Sequence, residues 1–99
     1  MGLFGSQCFS DPSINFHSSS IVGGSIGIAV GTAFGIKDSG NIVGCCLGDG
    51  ATEQGIFWES INFSALKQLP ILFICENNGL SINVSVFERQ VGSISRKVF

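Results

Sequence analysis

NIVGCCLGDGATEQGIFWESINFSALKQLPILFICENNG, residues 41–79, decides the fold. Ile42 to Leu47 is a short apolar run with β-branched residues, bounded by turn formers, and predicts a strand buried on both faces. Thr52 to Gln68 predicts a helix: Thr52 suits the N-cap, Glu53 and Gln54 place polar groups in the first turn, and Pro70 follows the end. Glu53 there serves the helix dipole. Pro70 to Cys75 predicts a second buried strand, broken by Asn77-Asn78-Gly79, since Asn and Gly tolerate positive φ. Strand, helix, strand with short joins is a βαβ unit whose strands run parallel through a right-handed crossover.

The helix carries Ile56, Phe57, Trp58, Ile61, Phe63, Ala65 and Leu66, spread around most of its circumference. One side covers the sheet; the other needs a second cover. A parallel sheet of two or three strands is not stable alone, because such sheets are buried on both faces. The expectation is therefore an α/β chain that forms part of a larger domain.

Upstream, residues 22–36 read as a buried helix weakened by glycine, and Lys37 to Asn41 as a turn. Gly23, Gly27, Gly31 and Gly35 recur every fourth residue, a stripe that lets another backbone approach closely. Residues 1–20 are rich in Ser, Gly, Asn and Phe without a period and read as loop. The tail, Phe87 to Phe99, has no pattern.

Ligands of open α/β sheets bind outside the carboxyl ends of the strands. Asp49 follows the first strand and Asn78 the second, so the two should converge. A carboxylate and an amide oxygen are hard ligands suited to Mg²⁺ or Ca²⁺, and Mg²⁺ is usually completed by substrate phosphates and water. Gly50-Ala51-Thr52 opens the expected helix, where free N–H groups favour a phosphate. Gly48 and Gly50 leave room for its approach. The sum is a metal-bridged diphosphate site.

Composition narrows the alternatives. The chain has 99 residues, 44% hydrophobic and 12% charged, with a net charge of -2, so it is neither disordered nor equipped with a basic footprint for nucleic acid or an anionic membrane. The uncharged run Ile21 to Ile36 is shorter than the roughly 20 residues that cross a bilayer. Cys8, Cys45, Cys46 and Cys75 lack CxxC spacing, and three lie in strand-like runs, which predicts small buried hydrophobes in a reducing compartment, with neither disulfides nor zinc. Met1-Gly2-Leu3-Phe4-Gly5-Ser6 fits the loose myristoylation pattern, a match common by chance. No charged-then-apolar leader is read at the start. His17, the single histidine, lies outside any triad or metal spacing and reads as a solvated or loop-packing residue. Glu59, in mid-helix among apolar residues, would need a partner if buried at an interface.

GDGATEQGIFWESINFSALKQLPILFICENNGLS, with SSSIVGGSIGIAVGTAFGIK upstream, closely resembles the thiamine diphosphate motif of the first-component alpha subunit of 2-oxo acid dehydrogenase complexes, the group that includes pyruvate, acetoin and branched-chain types. The likeness covers most of residues 1–82. It implies a doubly wound parallel-sheet fold, with residues 1–20 as loop, 21–82 as the cofactor-binding core and 83–99 as a truncated C-terminal segment. It implies thiamine diphosphate and Mg²⁺ as cofactors, with Asp49, Asn78 and the Leu80 carbonyl on the metal. Gly48, Gly50 and Ala51 would line the diphosphate, and the segment Ser20 to Val22 would touch the aminopyrimidine. It further implies oxidative decarboxylation of a 2-oxo acid with acyl transfer to a lipoyl group on a second component. The activating glutamate would come from a beta subunit. The location implied is the cytoplasm, or the mitochondrial matrix or a plastid in a eukaryote. The alternative readings of the same motif are a transketolase-like or non-oxidative decarboxylase thiamine diphosphate enzyme, or a truncated interaction module without catalysis. Two departures from the family pattern are Met1-Gly2-Leu3-Phe4 where MHLF is frequent, and Gly27 where SIPIAVG carries proline.

Overall fold

The computed structural model describes residues 8–98. The myristoylation pattern and the departure at Met1-Gly2-Leu3-Phe4 lie outside the described residues. Strand β3 (Val43–Gly48) and strand β4 (Ile71–Glu76) pair in parallel, in register from Val43 opposite Ile71 to Gly48 opposite Glu76. Helix α2 (Gly55–Lys67) is the crossover between them. The strand–helix–strand expectation holds, and the chain is mixed α/β.

Helix α1 (Gly24–Gly35) packs with α2 against one face of this pair. Side chains on a strand alternate between faces, so Cys45 and Leu47 point into the core with Ile26, Ala51 and Phe57. Trp58, Ile61, Ile71 and Phe73 pack around that cluster, and the Phe57 ring meets Trp58 and Phe73 edge-on at centroid distances of 5.1 and 6.1 Å. The alternation also turns Cys46, Leu72 and Ile74 onto the opposite face, where they stay exposed. Cys46 and Cys75 are thus not the buried hydrophobes expected and only Cys45 is: nothing among the described residues covers the second face, where Cys46 lies, and Cys75, on the core side opposite Leu47, is exposed near the carboxyl end of β4. The fold is 17 Å thick along its shortest axis, and its radius of gyration of 14.5 Å exceeds the roughly 13 Å of a compact chain this long.

Helix α2 begins at Gly55, not Thr52. Residues Asp49–Glu53 form a 3₁₀ turn, and the N-cap is Gln54, whose side chain makes no capping bond. Thr52 is buried, and its hydroxyl donates backwards to the Asp49 carbonyl at 2.6 Å, which satisfies a group that would otherwise be desolvated without a partner. At the other end Gln68 takes a left-handed conformation, φ 52°, and the Leu69 amide donates to the Ser64 carbonyl.

Helix α1 starts two residues later than expected because Gly23 is left-handed, φ 78°, in the turn closed by the Gly24 amide on the Ile21 carbonyl. The glycine stripe does not admit a backbone from the described residues. A Cβ at Gly31 or Gly35 would meet nothing within 4 Å, and at Gly27 only the Ile56 Cδ1 at 4.0 Å.

Two regions carry more structure than their sequences suggest. Within residues 8–20, read as loop, strands β1 (Phe9–Asp11) and β2 (Phe16–Ser18) form an antiparallel hairpin. Its tip is a 3₁₀ turn, Pro12–Ile14, with the Ser13 amide donating to Asp11 and Asn15 left-handed at φ 52°. After β4, strands β5 (Leu80–Ser81) and β6 (Val84–Ser85) make a second hairpin, followed by helices α3 (Val86–Arg89) and α4 (Ile94–Val98). No described helix is long and apolar enough to cross a membrane.

Candidate functional site

The parallel register places Gly48 and Glu76 side by side at the carboxyl edge, so the chain leaves both strands at one end of the sheet. A cleft of about 530 Å³ opens there. Asp49 and Asn78 both line it, with Leu80, Gly48, Gly50 and Ala51, and Val22 joins from the segment before α1. Ser20 is the exception. Its hydroxyl lies 3.1 Å from the Cys8 thiol, its amide donates to the same sulfur, and its neighbour Ser19 lines the cleft instead. The two hydrogen bonds from Ser20 hold the Cys8 thiol below its ordinary pKa.

Asp49 is 2% exposed, so its charge is not bare. Burial of a carboxylate demands a partner, and Arg89 of α3 provides it through Nη2 on Oδ2. The same guanidinium bonds Glu53 through Nη1 and the Val84 carbonyl through Nε at 3.1 Å. Gln90 donates from Nε2 to the Asp49 carbonyl and Thr52 hydroxyl, each at 3.2 Å, and to Glu53 at 2.9 Å. Glu53 therefore pairs with side chains of the tail rather than serving the dipole of α2, which starts two residues beyond it. Neither Arg89 nor Gln90 was legible in the sequence, because the tail has no periodicity and the contacts bridge about forty residues.

Asn78 is exposed, and its Oδ1 accepts from the Leu80 amide at 3.0 Å in an Asx turn. The Asn77 side chain does the same for Gly79, which is left-handed at φ 79°. Gly48 is extended, and a Cβ there would meet nothing within 4 Å among the described residues. Gly50 differs: a Cβ would stand 2.5 Å from the Ser81 hydroxyl, so this glycine admits the β5 strand as well as lining the cleft. Glu76 also lines the cleft, whereas His17 is exposed on β2 away from it and Glu59 is exposed on α2. The phosphate-facing turn expected at the start of the helix is the 3₁₀ segment Asp49–Glu53. Asp49, Asn78 and Leu80 offer a carboxylate, an amide oxygen and a backbone carbonyl, the hard oxygen set that Mg²⁺ accepts. Among the described residues no three His, Cys, Asp or Glu side chains gather into a metal cluster, so softer transition metals have no all-side-chain site.

Comparison with known proteins gives the same direction. Residues 5–96 match the family described as Dehydrogenase E1 component. The chain is 40% identical over 74 residues to pyruvate dehydrogenase E1 component subunit alpha type II, mitochondrial, of Ascaris suum, covering 72% of this chain and 19% of that one. It is 44% identical over 61 residues to the alpha subunit of acetoin:2,6-dichlorophenolindophenol oxidoreductase of Bacillus subtilis, covering 60% and 18%. It is 41% identical over 80 residues to pyruvate dehydrogenase E1 component subunit alpha of Rickettsia bellii, covering 79% and 24%. The chain thus spans about a fifth of the length of these relatives. With the family match running over nearly the whole chain and across both strand ends of the cleft, the chain belongs to the dehydrogenase E1 component family.

Proposed function

We propose that this chain is the cofactor-binding part of a 2-oxo acid dehydrogenase alpha subunit, holding thiamine diphosphate and Mg²⁺ in the cleft at the carboxyl edge of β3 and β4. The observation that carries the reading is the meeting of Asp49 and Asn78, from successive strand ends, in one cleft with Leu80. Asp49, Asn78 and the Leu80 carbonyl would hold the metal, Gly48, Gly50 and Ala51 would line the diphosphate, and Val22 would lie against the aminopyrimidine, whereas Ser20, bonded to Cys8, stands outside the cleft. The space beyond Gly48 suits close approach of an anion. When bound, the cofactor supplies the carbon nucleophile for decarboxylation, and the protein contributes binding, orientation and electrostatics.

The exposed Leu72 and Ile74 on the second face of the sheet support a larger, doubly wound domain around residues 21–82, with 1–20 leading in and 83–99 leading on. The intact protein then decarboxylates a 2-oxo acid oxidatively and passes the acyl unit to a lipoyl group on a second component, beside a beta subunit that supplies the activating glutamate. Bacterial and mitochondrial relatives support a bacterial cytoplasm or a mitochondrial matrix, with a plastid as a further eukaryotic location.

Calorimetric titration of thiamine diphosphate and Mg²⁺ into the intact protein with its beta subunit tests the site. Saturable binding that Asp49→Ala abolishes is expected; equal binding by Asp49→Ala would refute the assignment. Product analysis tests the reaction: lipoyl acylation is expected, and free aldehyde or ketol products would assign a non-oxidative decarboxylase or a transketolase-like enzyme instead.

A further inference from the structure

We infer that Arg89 is a positioning residue for the metal end of the cleft: its guanidinium locks the Asp49 carboxylate and ties it to the hairpin that carries Leu80. The inference rests on the metal site proposed above.

Arg89 is not among the residues that line the cleft, whereas Asp49 is. The guanidinium therefore reaches the carboxylate from outside the ligand space. Its side chain is only 11% exposed, and its three nitrogens are all engaged: Nη2 on Asp49 Oδ2, Nη1 on Glu53, Nε on the Val84 carbonyl. A guanidinium is planar and rigid, so fixing Nη1 and Nε fixes where Nη2 stands. Oδ2 is then pinned, and the carboxylate plane loses the rotation that would disperse its second oxygen over many directions.

The other half of the lock is the hairpin. Val84, which accepts from Arg89, is paired with Ser81 across β5 and β6, next to Leu80. The Val86 amide at the start of α3 donates to the Gly79 carbonyl at 2.9 Å, between Asn78 and Leu80. Helix α3 is thus bonded to the backbone beside two proposed donors and, through Arg89, to the third. Gln90 adds a bond to the Asp49 carbonyl and closes the same arrangement from the next residue. Groups that hold a metal ligand from behind contribute to affinity by removing the freedom the ligand would lose on binding, and their loss typically weakens binding about 10–100-fold.

The test uses Mn²⁺, read by electron paramagnetic resonance, titrated into the intact protein with inorganic pyrophosphate as the anion. Arg89→Gln is expected to weaken Mn²⁺ binding by about 10–100-fold while circular dichroism is unchanged. In Arg89→Ala, methylguanidinium added in solution is expected to restore part of the affinity, which recovery from a general folding defect would not do. If Arg89→Gln does not fold, Arg89→Lys decides: it keeps a charge for Asp49 but loses the fork, and weaker Mn²⁺ binding is again expected. Unchanged affinity in the folded variants would overturn the inference, as would tighter binding, which would make Arg89 a competitor for the carboxylate. Asp49→Asn separates the two readings. If it binds Mn²⁺ like the parent, the metal site itself is misplaced and the inference falls with it; if it fails to bind while Arg89→Gln binds normally, only the positioning role is lost.

Discussion

Ser81 occupies the space into which a side chain at Gly50 would project: a Cβ there would lie 2.5 Å from its hydroxyl oxygen and 3.0 Å from its Cβ. The turn after β3 and the hairpin after β4 are held together at this point, which brings Leu80 to the same cleft as Asp49.

Gly50→Ala should therefore push β5 away from the turn. Overpacking of this kind costs about 1–3 kcal/mol. Urea unfolding of Gly50→Ala and of Gly50→Ala/Ser81→Gly checks it, with the second change expected to recover part of the loss. Additive losses would show that the crowding is relieved elsewhere.

Gln68 closes α2 in a left-handed conformation that a side chain disfavours and glycine accepts. Gln68→Gly should stabilise the fold by about 0.5–1 kcal/mol, seen as a higher unfolding midpoint. A lower midpoint would mean that the Gln68 side chain makes a contact of greater worth.

The Ser64 hydroxyl is buried on α2 and has no hydrogen-bond partner among the described residues. Replacement by alanine removes the unpaired group and favours the helix, so Ser64→Ala should stabilise by about 0.5–1.5 kcal/mol. Destabilisation in the intact protein would indicate that a neighbouring element accepts or donates to this hydroxyl there.

The four thiols should separate by their surroundings. Hydrogen bonds from Ser20 lower the Cys8 pKa, while burial, with Cys46 alongside, raises that of Cys45. Iodoacetamide followed by peptide mass analysis should modify Cys8 first and Cys45 last, and the Cys8 rate should begin its rise at lower pH. Ser20→Ala should move the Cys8 profile upward in pH. A Cys8 profile that ignores this change would detach the thiol from Ser20.

The order of elements from Ile42 to Cys75 was legible because apolar runs, a helix former stretch and turn residues at Asn77 to Gly79 are local signals. The parallel pairing then followed from chain connectivity alone, and with it the meeting of Asp49 and Asn78. The helix start was misread by three residues because Thr52 has the chemistry of an N-cap, yet its hydroxyl turns back to Asp49 once it is buried. Cys46 was misread because a run of apolar residues shows that a strand is buried without showing on how many sides, and Cys75 because the run does not show how far along the strand the cover extends.

The sequence by itself determined the strand–helix–strand unit, the glycines and oxygen donors at its open edge, and the family to which such a spacing belongs. Only the tertiary structure decided that Asp49 is buried and paired, that Gly50 is a packing glycine, and that Arg89 and Gln90 bond to Asp49. The reason is physical. Secondary structure and strand-end convergence follow from interactions between near neighbours in the chain, whereas a charge partner forty residues away is selected by the desolvation of Asp49, which exists only after the chain has folded.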